Sequence, residues 1–276
     1  MWNRAIWRKT WGDQRALFLA MAALWVVFPW LYVWLSSQIA IPAFQDVLLK
    51  AIPQDWQKLS GVPFSEVATH AGRVALAFVD PVVVLGATVW GITRGSDAVS
   101  GPLERGTLEM ILAQPVERRA VWITQAVATT CAAALLCTVL AASVCGAVAF
   151  GPWAGKVEPW RFVVPAANVF GLMVCMAGLT ALVSAGDSFR WRTIGILCGF
   201  YVFSLLAKLV GRMSASFGWV SWLSIFEAYE PQRLVGATAE SLPRLAVYDA
   251  TLLGIGLAAY VVGGFLFCRR DLPAPL

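Results

Sequence analysis

The chain has 276 residues, of which 59% are apolar and only 13% are charged, and its mean hydropathy is +0.70. Soluble domains carry about 25% charged residues, so this composition excludes a disordered chain and argues strongly against a soluble domain. The net charge of +5 is better explained by membrane topology than by nucleic-acid binding, so no nucleic acid is expected as a partner.

The apolar residues form long blocks, and six of these reach the roughly 20 residues that a helix needs to cross a bilayer. The sequence therefore predicts an all-α polytopic membrane protein, a single domain over residues 1–276. The predicted spans are residues 16–40, 74–93, 121–149, 163–185, 193–211 and 247–267. Many of the 14 tryptophans lie at block ends, as in an interfacial aromatic belt.

Residues 1–15 mix tryptophan with basic residues and predict an amphipathic helix at the membrane surface. The alternative is an ordinary positive flank of the first span. A cleaved signal does not fit, because the following apolar block runs about 25 residues, whereas a signal core has about 7–15. We therefore expect this block to remain as the first span.

An even number of spans places both termini on one side of the membrane. The basic residues close to span ends favour the cytoplasm for that side. They are Arg4, Arg8, Lys9, Arg15, Arg94, Arg105, Arg118, Arg119, Arg190, Arg192, Arg269 and Arg270. Two long segments, 41–73 and 212–246, then lie outside. The second is expected either to dip into the membrane or to form a pair of surface helices.

Asp80 precedes Pro81 inside the predicted second span. An intramembrane carboxylate costs a few kcal/mol and usually faces a cavity, so Asp80 is a candidate pathway residue. Alternatively, it caps the half-helix that begins at Pro81.

Four more charged residues lie near the outer end of the fifth span. Lys208 and Arg212 could attract an anionic substrate or a lipid headgroup, but we expect them to extend to the membrane surface. Glu227 and Glu230 could bind a cation, but we expect solvated loop charge, since no histidine or cysteine stands nearby to complete a transition-metal site. His70 is the only histidine, which leaves little basis for a metal centre or a serine hydrolase.

The inside loop, residues 94–120, is the most informative segment. Pro102 and Pro115 bracket a predicted helix of about 12 residues, with Leu108, Ile111 and Leu112 on one face. Such a helix suits docking into a groove on a cytoplasmic partner. The alternative is that its apolar face packs under the spans or in the lipid interface.

The run LERGTLEMILAQPVERR, residues 103–119, resembles the loop between the second and third spans of type-2 ABC transporter permeases. The basic N-terminal segment is similar to that family's elbow helix. The resemblance implies that this loop is a coupling helix resting on a separate ATPase subunit, that two permease copies, identical or different, form the pathway, and that transport is export. It implies a bacterial cytoplasmic membrane, with lipid around the spans.

Within that resemblance, the residues expected to couple to the ATPase are Glu104, Arg105, Thr107, Leu108, Glu109, Ile111 and Leu112. No lysine of this chain lies in a phosphate-binding loop, so ATP and Mg²⁺ are expected on the partner and no cofactor on this chain. One rival function is a non-transporting scaffold or assembly subunit that docks another partner. Another is an ion-coupled carrier that depends on Asp80.

Overall fold

The structure is a computed structural model, and it describes residues 4–39, 63–235 and 238–270. The regular elements within these ranges are all helices. The α-helices are α1 Arg4–Ser37, α2 Phe64–Val67, α3 His70–Leu76, α4 Pro81–Ser96, α5 Ser100–Glu104, α6 Thr107–Leu112, α7 Arg118–Phe150, α8 Val163–Gly186, α9 Arg190–Met213 and α10 Thr238–Arg269. Shorter 3₁₀ helices cover Pro159–Phe162, Ala215–Leu223, Ile225–Ala228 and Pro231–Leu234.

Six helical stretches in the described residues are long and apolar enough to cross a membrane. They are Arg4–Ser37, His70–Ser96, Arg118–Phe150, Pro159–Gly186, Arg190–Met213 and Ser241–Arg269. Each contains most or all of one predicted span, which confirms the all-α polytopic fold. The exact span boundaries of the sequence analysis stay predictions, because helix ends do not show where a bilayer begins.

The first helix differs from expectation. A surface helix over 1–15 was one of two predictions, but residues 4–37 form one uninterrupted α-helix, α1, which agrees with the alternative of a positive flank continuous with the first span. No residue in its first half breaks the backbone hydrogen bonding, and Pro29 lies inside the apolar half. The sequence therefore provides no bend between an interfacial helix and the span.

The second span is not one continuous helix. Helix α3 ends at Leu76 and α4 begins at Pro81. Asp80 is the N-cap of α4, and its Oδ1 accepts a hydrogen bond from the Val82 N–H at 2.9 Å. Pro81 lacks an N–H and fits the first helical position, so this dipeptide starts a new helix. The capping alternative for Asp80 is the one that the structure has.

Helix α8 is the centre of the bundle and packs against α10, α4 and α7. Small residues allow the close approach. An added Cβ on Gly178 would lie 2.2 Å from the Gly256 carbonyl oxygen of α10, and one on Gly95 of α4 would lie 2.6 Å from the Ala177 carbonyl oxygen. These close backbone contacts pack α4 and α10 tightly against α8.

The segment after α9 forms consecutive 3₁₀ helices, which differ from the surface-helix pair that was one of its two predicted forms, and its second half packs into the bundle. The Tyr229 hydroxyl donates to the Phe78 carbonyl oxygen at 2.6 Å, and Asn168 Nδ2 of α8 donates to the Ala228 carbonyl oxygen at 3.1 Å. Irregular backbone is tolerated at such a place because the surrounding protein satisfies its polar groups.

The charged residues near this segment were misjudged from the sequence. Glu230 is fully buried and pairs with Lys208, with Arg212 at 2.6 Å and with Arg233 at 2.9 Å. Arg212 also pairs with Glu227 at 3.2 Å. Glu230 is therefore not solvated loop charge, and Lys208 and Arg212 turn toward the protein because a buried carboxylate requires cationic partners.

Candidate functional site

The inside loop forms two short helices instead of the single predicted helix. Helix α5 ends at Glu104 and α6 starts at Thr107. Between them Gly106 has φ +66°, a left-handed conformation that a residue without a side chain adopts at little cost. The Thr107 hydroxyl donates to the Pro102 carbonyl oxygen at 3.2 Å and closes this turn.

A buried serine attaches the start of the loop to α8. Ser184 Oγ accepts hydrogen bonds from the backbone N–H groups of Val99 at 3.2 Å and Ser100 at 2.8 Å. The Thr193 hydroxyl of α9 lies 3.2 Å from the Ser100 hydroxyl. Ser184, Thr193 and Ser100 are all fully buried, so these bonds form where water does not compete.

Asp97, directly after α4, gathers three arginines. Its carboxylate oxygens lie 3.1 Å from Arg94, 3.3 Å from Arg105 and 3.4 Å from Arg190. The Arg94 side chain is only 2% exposed, whereas that of Arg105 is 49% exposed. Arg105, a predicted coupling residue, therefore belongs to an ion-pair network that joins α4, the loop and the start of α9.

Glu104 has a structural contact that also joins the loop to α9. Its Oε2 accepts a hydrogen bond from the Arg190 N–H at 2.8 Å. Arg190 is the first residue of α9, so the carboxylate occupies the N-terminal end of a helix, where the backbone dipole favours negative charge. The predicted polar contact of Glu104 is thus used within the chain.

Leu108 points into the protein. It is 1% exposed and belongs to an apolar cluster with Val99, Trp122, Tyr260 and Phe267. Trp122 stacks on Phe267 with ring centroids 5.8 Å apart, and its indole N–H donates to the Tyr260 carbonyl oxygen at 3.1 Å. Leu108 therefore agrees with the alternative prediction, in which the apolar face of the loop helix packs under the spans, because this side chain is enclosed by α7 and α10.

The outward side of the loop carries other residues. Met110 is 65% exposed, and Ala113, Gln114 and Pro115 are exposed as well. We call these four residues the loop face. Of the predicted coupling residues, Glu109, Ile111 and Leu112 are partly exposed beside it. The sequence analysis missed Met110, although its place between Leu108 and Leu112 on the opposite side of the helix was a usable signal.

A second group of hydrogen bonds joins the ends of α7, α8 and α10. Arg270 donates to the carbonyl oxygens of Ala185 at 3.1 Å and Asp187 at 2.9 Å. Arg118, at the start of α7, donates to the Arg270 carbonyl oxygen at 2.6 Å. Arg118 and Arg270 were predicted only as membrane-flanking positive charge, but both donate hydrogen bonds to carbonyl groups at helix ends.

Asp187 stabilises the short turn between α8 and α9. Arg192 contacts both of its carboxylate oxygens, at 2.8 and 2.6 Å, and the N–H groups of Ser188 and Phe189 donate to Oδ1. The hydrogen bond from Arg192 holds the pKa of this carboxyl below its ordinary value, and the two backbone N–H groups act in the same direction.

The structure also locates two carboxylates within spans. Asp80 caps α4, and its pathway role stays a prediction. Asp249 of α10 was not singled out from the sequence, although it lies inside an apolar block. Its Oδ1 accepts a hydrogen bond from Asn168 Nδ2 at 2.9 Å, and Asn168 Oδ1 accepts from the Glu230 N–H at 3.2 Å. Asn168 thus links α8, α10 and the outer segment.

The fold and this loop define a class. A chain whose described elements are all helices, with six candidate spans and a polar loop fixed to the ends of several of them, is a polytopic membrane protein. The comparison with protein families makes this specific: residues 13–272 match the family described as ABC-2 family transporter protein. The chain therefore belongs to that family and is the membrane permease component of an ABC transporter, whose ATPase is a separate subunit. No individual curated protein matches the chain.

Proposed function

We propose that this chain forms the pathway of an ATP-driven exporter, as one of two permease copies. In this proposal ATP and Mg²⁺ are bound by two cytoplasmic ATPase subunits, and the permease lies in a bacterial cytoplasmic membrane with both termini in the cytoplasm. The direction of transport and the paired permease rest on the resemblance of residues 103–119 to type-2 ABC permeases.

One observation carries the coupling role. The loop face is exposed, while the residues that precede it are fixed to span ends through Ser184, Asp97 and Leu108. A partner that pushes on the loop face therefore acts on α4, α7, α8, α9 and α10 through short contacts. Such a stiff connection is what nucleotide-driven closure of an ATPase pair requires to reach the spans.

The test must change the loop face without breaking the contacts that fix the loop to the spans. Glu104 is unsuitable, because its carboxylate caps α9. Glu109 is partly exposed and has no ion-pair partner among the described residues. We expect Glu109→Lys and Met110→Glu to insert and fold normally but to lower co-purification of the ATPase, and vanadate-sensitive ATP hydrolysis, about tenfold, because each places a charge of new sign on the docking surface.

Lys156→Glu is the matched control. It reverses an exposed charge, on a residue with no ion-pair partner among the described residues, at the other end of the bundle. Full coupled hydrolysis in Glu109→Lys and Met110→Glu would reject the coupling role of the loop face. A different cytoplasmic protein recovered with the native chain, and lost with these variants, would support the scaffold function instead.

A further inference from the structure

Most of the buried side-chain polar atoms that have no hydrogen-bond partner among the described residues lie on three helices, α1, α4 and α7. They are Gln14 Oε1 and Nε2, Trp25 Nε1, Trp90 Nε1, Arg94 Nε, Gln125 Nε2 and Thr129 Oγ1. Gln14, Arg94 and Thr129 are at most 2% exposed. An unpaired polar atom in a protein interior costs free energy, so a group of them on neighbouring helices indicates a small ligand such as water or an ion.

Contacts between α1 and α4 place part of this group at one level of the bundle. The two helices are antiparallel, and the centroids of the Phe18 and Trp90 rings lie 6.3 Å apart. One turn toward the start of α1 corresponds to one turn toward the end of α4. Gln14 therefore lies level with Arg94.

Contacts between α1 and α7 bring in the third helix. These two helices are parallel, and the Ser143 hydroxyl of α7 donates to the Val26 carbonyl oxygen of α1 at 2.8 Å. Counting the same number of residues back along both helices brings Gln14 within one turn of Thr129. The unpaired amide, hydroxyl and guanidinium groups of three helices thus converge.

A small cavity opens at this end of the bundle, beside the inside loop. Its volume is about 50 Å³. It is lined by Thr10 and Asp13 of α1, Arg94 of α4, Arg105 of the loop and Gln125 of α7. One water molecule needs a cavity of only about 10–15 Å³, so this one has room for a few. Sites for organic molecules are larger, about 300 Å³ or more, so only water or a small ion fits.

The unpaired atoms are of both kinds, donors and acceptors. Arg94 Nε and Gln125 Nε2 can only donate, whereas the Gln14 amide and the Thr129 hydroxyl can both donate and accept. A bound anion pairs with donors alone, and a bound cation pairs with acceptors alone. Water donates and accepts, so it is the small ligand that matches this set of atoms.

The charged groups at the cavity are already paired within the chain. Arg94 and Arg105 pair with Asp97 at 3.1 and 3.3 Å, and Lys9 pairs with Asp13 at 3.3 Å. An ion would compete with these pairs for their charges. Neutral water adds hydrogen bonds to the unpaired atoms and leaves the ion pairs in place.

We propose that this cavity is a binding site for ordered water molecules, which hydrogen-bond to Arg94 and Gln125 and extend to Gln14 and Thr129. The water joins α1 to α4, to α7 and to the inside loop, where Arg105 lines the cavity. Water-mediated hydrogen bonds are nearly as favourable as direct ones, and water molecules reorient when the groups around them shift. Helix α1 can therefore stay bonded to the loop when the loop moves. The site goes beyond the proposed coupling role and does not depend on it.

Hydroxyl-radical labelling of the full chain in phosphatidylcholine nanodiscs tests this site. A millisecond X-ray pulse produces the radicals from water, and they react close to where they form, so a buried side chain is labelled mainly where water contacts it. Leu108 lines the cavity and Leu140 of α7 does not, although both are 1% exposed. The two leucines have the same intrinsic reactivity, so we expect Leu108 to be labelled about fivefold faster.

A double variant with Gln14→Leu and Gln125→Leu removes polar partners of the water at similar side-chain volume. Leu108 should then be labelled about as slowly as Leu140, while Met110 on the loop face, which is 65% exposed, should be labelled as in the native chain. Equal rates for Leu108 and Leu140 in the native chain would overturn the proposal. So would fast labelling of Leu108 that persists in the double variant, because bulk water would then reach it by local opening of the loop.

Exchange of the salt separates water from an anion. The melting temperature and the labelling of Leu108 should be the same in chloride and in gluconate, because the ligand is neutral. A melting temperature that falls when gluconate replaces chloride would indicate an anion site and overturn the assignment to water.

Discussion

Replacing Ser184 by alanine tests whether the loop is held to α8 by a single hydroxyl. Ser184 Oγ is the acceptor for the backbone N–H groups of Val99 and Ser100. The substitution removes the acceptor of both N–H groups. Val99 and Ser100 are fully buried, so water cannot replace it. Each buried donor without a partner costs about 1–3 kcal/mol, so with two donors Ser184→Ala should cost about 2–6 kcal/mol in unfolding free energy.

Ser143→Ala is the matched control, because Ser143 is also a buried serine within a span. Its hydroxyl donates to the Val26 carbonyl oxygen at 2.8 Å, a group that also accepts a hydrogen bond within α1. No buried donor is left unpaired there, so the expected cost is only about 0.5–1.5 kcal/mol, that of one ordinary hydrogen bond.

The assay is thermal unfolding of both variants in detergent, together with ATP hydrolysis in the assembled transporter. Chains of roughly this size lose about 2–4 °C per kcal/mol, so Ser184→Ala should melt about 4–24 °C below the native chain. It should also show reduced coupling, because the loop no longer moves with α8. If Ser184→Ala melts no lower than Ser143→Ala, the attachment of the loop through this hydroxyl is refuted.

Three further outcomes are expected. Asp80→Asn should keep the cap of α4 and native stability, whereas Asp80→Ala should lose about 1 kcal/mol in thermal unfolding, and lost transport in the asparagine variant despite its native stability would indicate a pathway role. The pKa of Asp187 is lowered in the folded chain, so its stabilisation is present above about pH 4 and is lost as the pH falls through the folded pKa; the difference in melting temperature between the native chain and Asp187→Asn should therefore shrink below pH 4. Gly178→Ala should cost about 1–3 kcal/mol or more, because the new Cβ meets the Gly256 carbonyl oxygen, while Gly195→Ala, with no heavy atom within 4 Å of its Cβ, should be neutral or slightly stabilising.

The spans could be predicted from the sequence because their signal is local. A block of about 20 apolar residues has one stable solution in a bilayer, whatever it packs against. The break at Asp80–Pro81 was also readable, since a capping residue followed by proline is a helix start wherever it occurs. The same local rules fail at residues 1–15, where amphipathicity indicates a surface but does not specify a bend.

The polar contacts could not be predicted, because their partners are distant in sequence. Glu230 looks like solvated loop charge until Lys208 and Arg212, about twenty residues earlier, fold against it. Glu104 looks like a partner contact until the Arg190 N–H reaches it across 86 positions. Composition describes each of these residues alone, whereas burial depends on which ones the fold brings together.

Helix α9 joins the two polar regions of the molecule. At its start Arg190 contacts Asp97 and the Glu104 carboxylate. At its far end Lys208 donates to the Phe226 and Tyr229 carbonyl oxygens of the outer segment. A 24-residue helix is about 36 Å long and bends little. Any displacement of the loop that keeps these bonds must therefore carry the outer segment with it, which gives a movement at the loop face a direct mechanical route to the opposite end of the bundle.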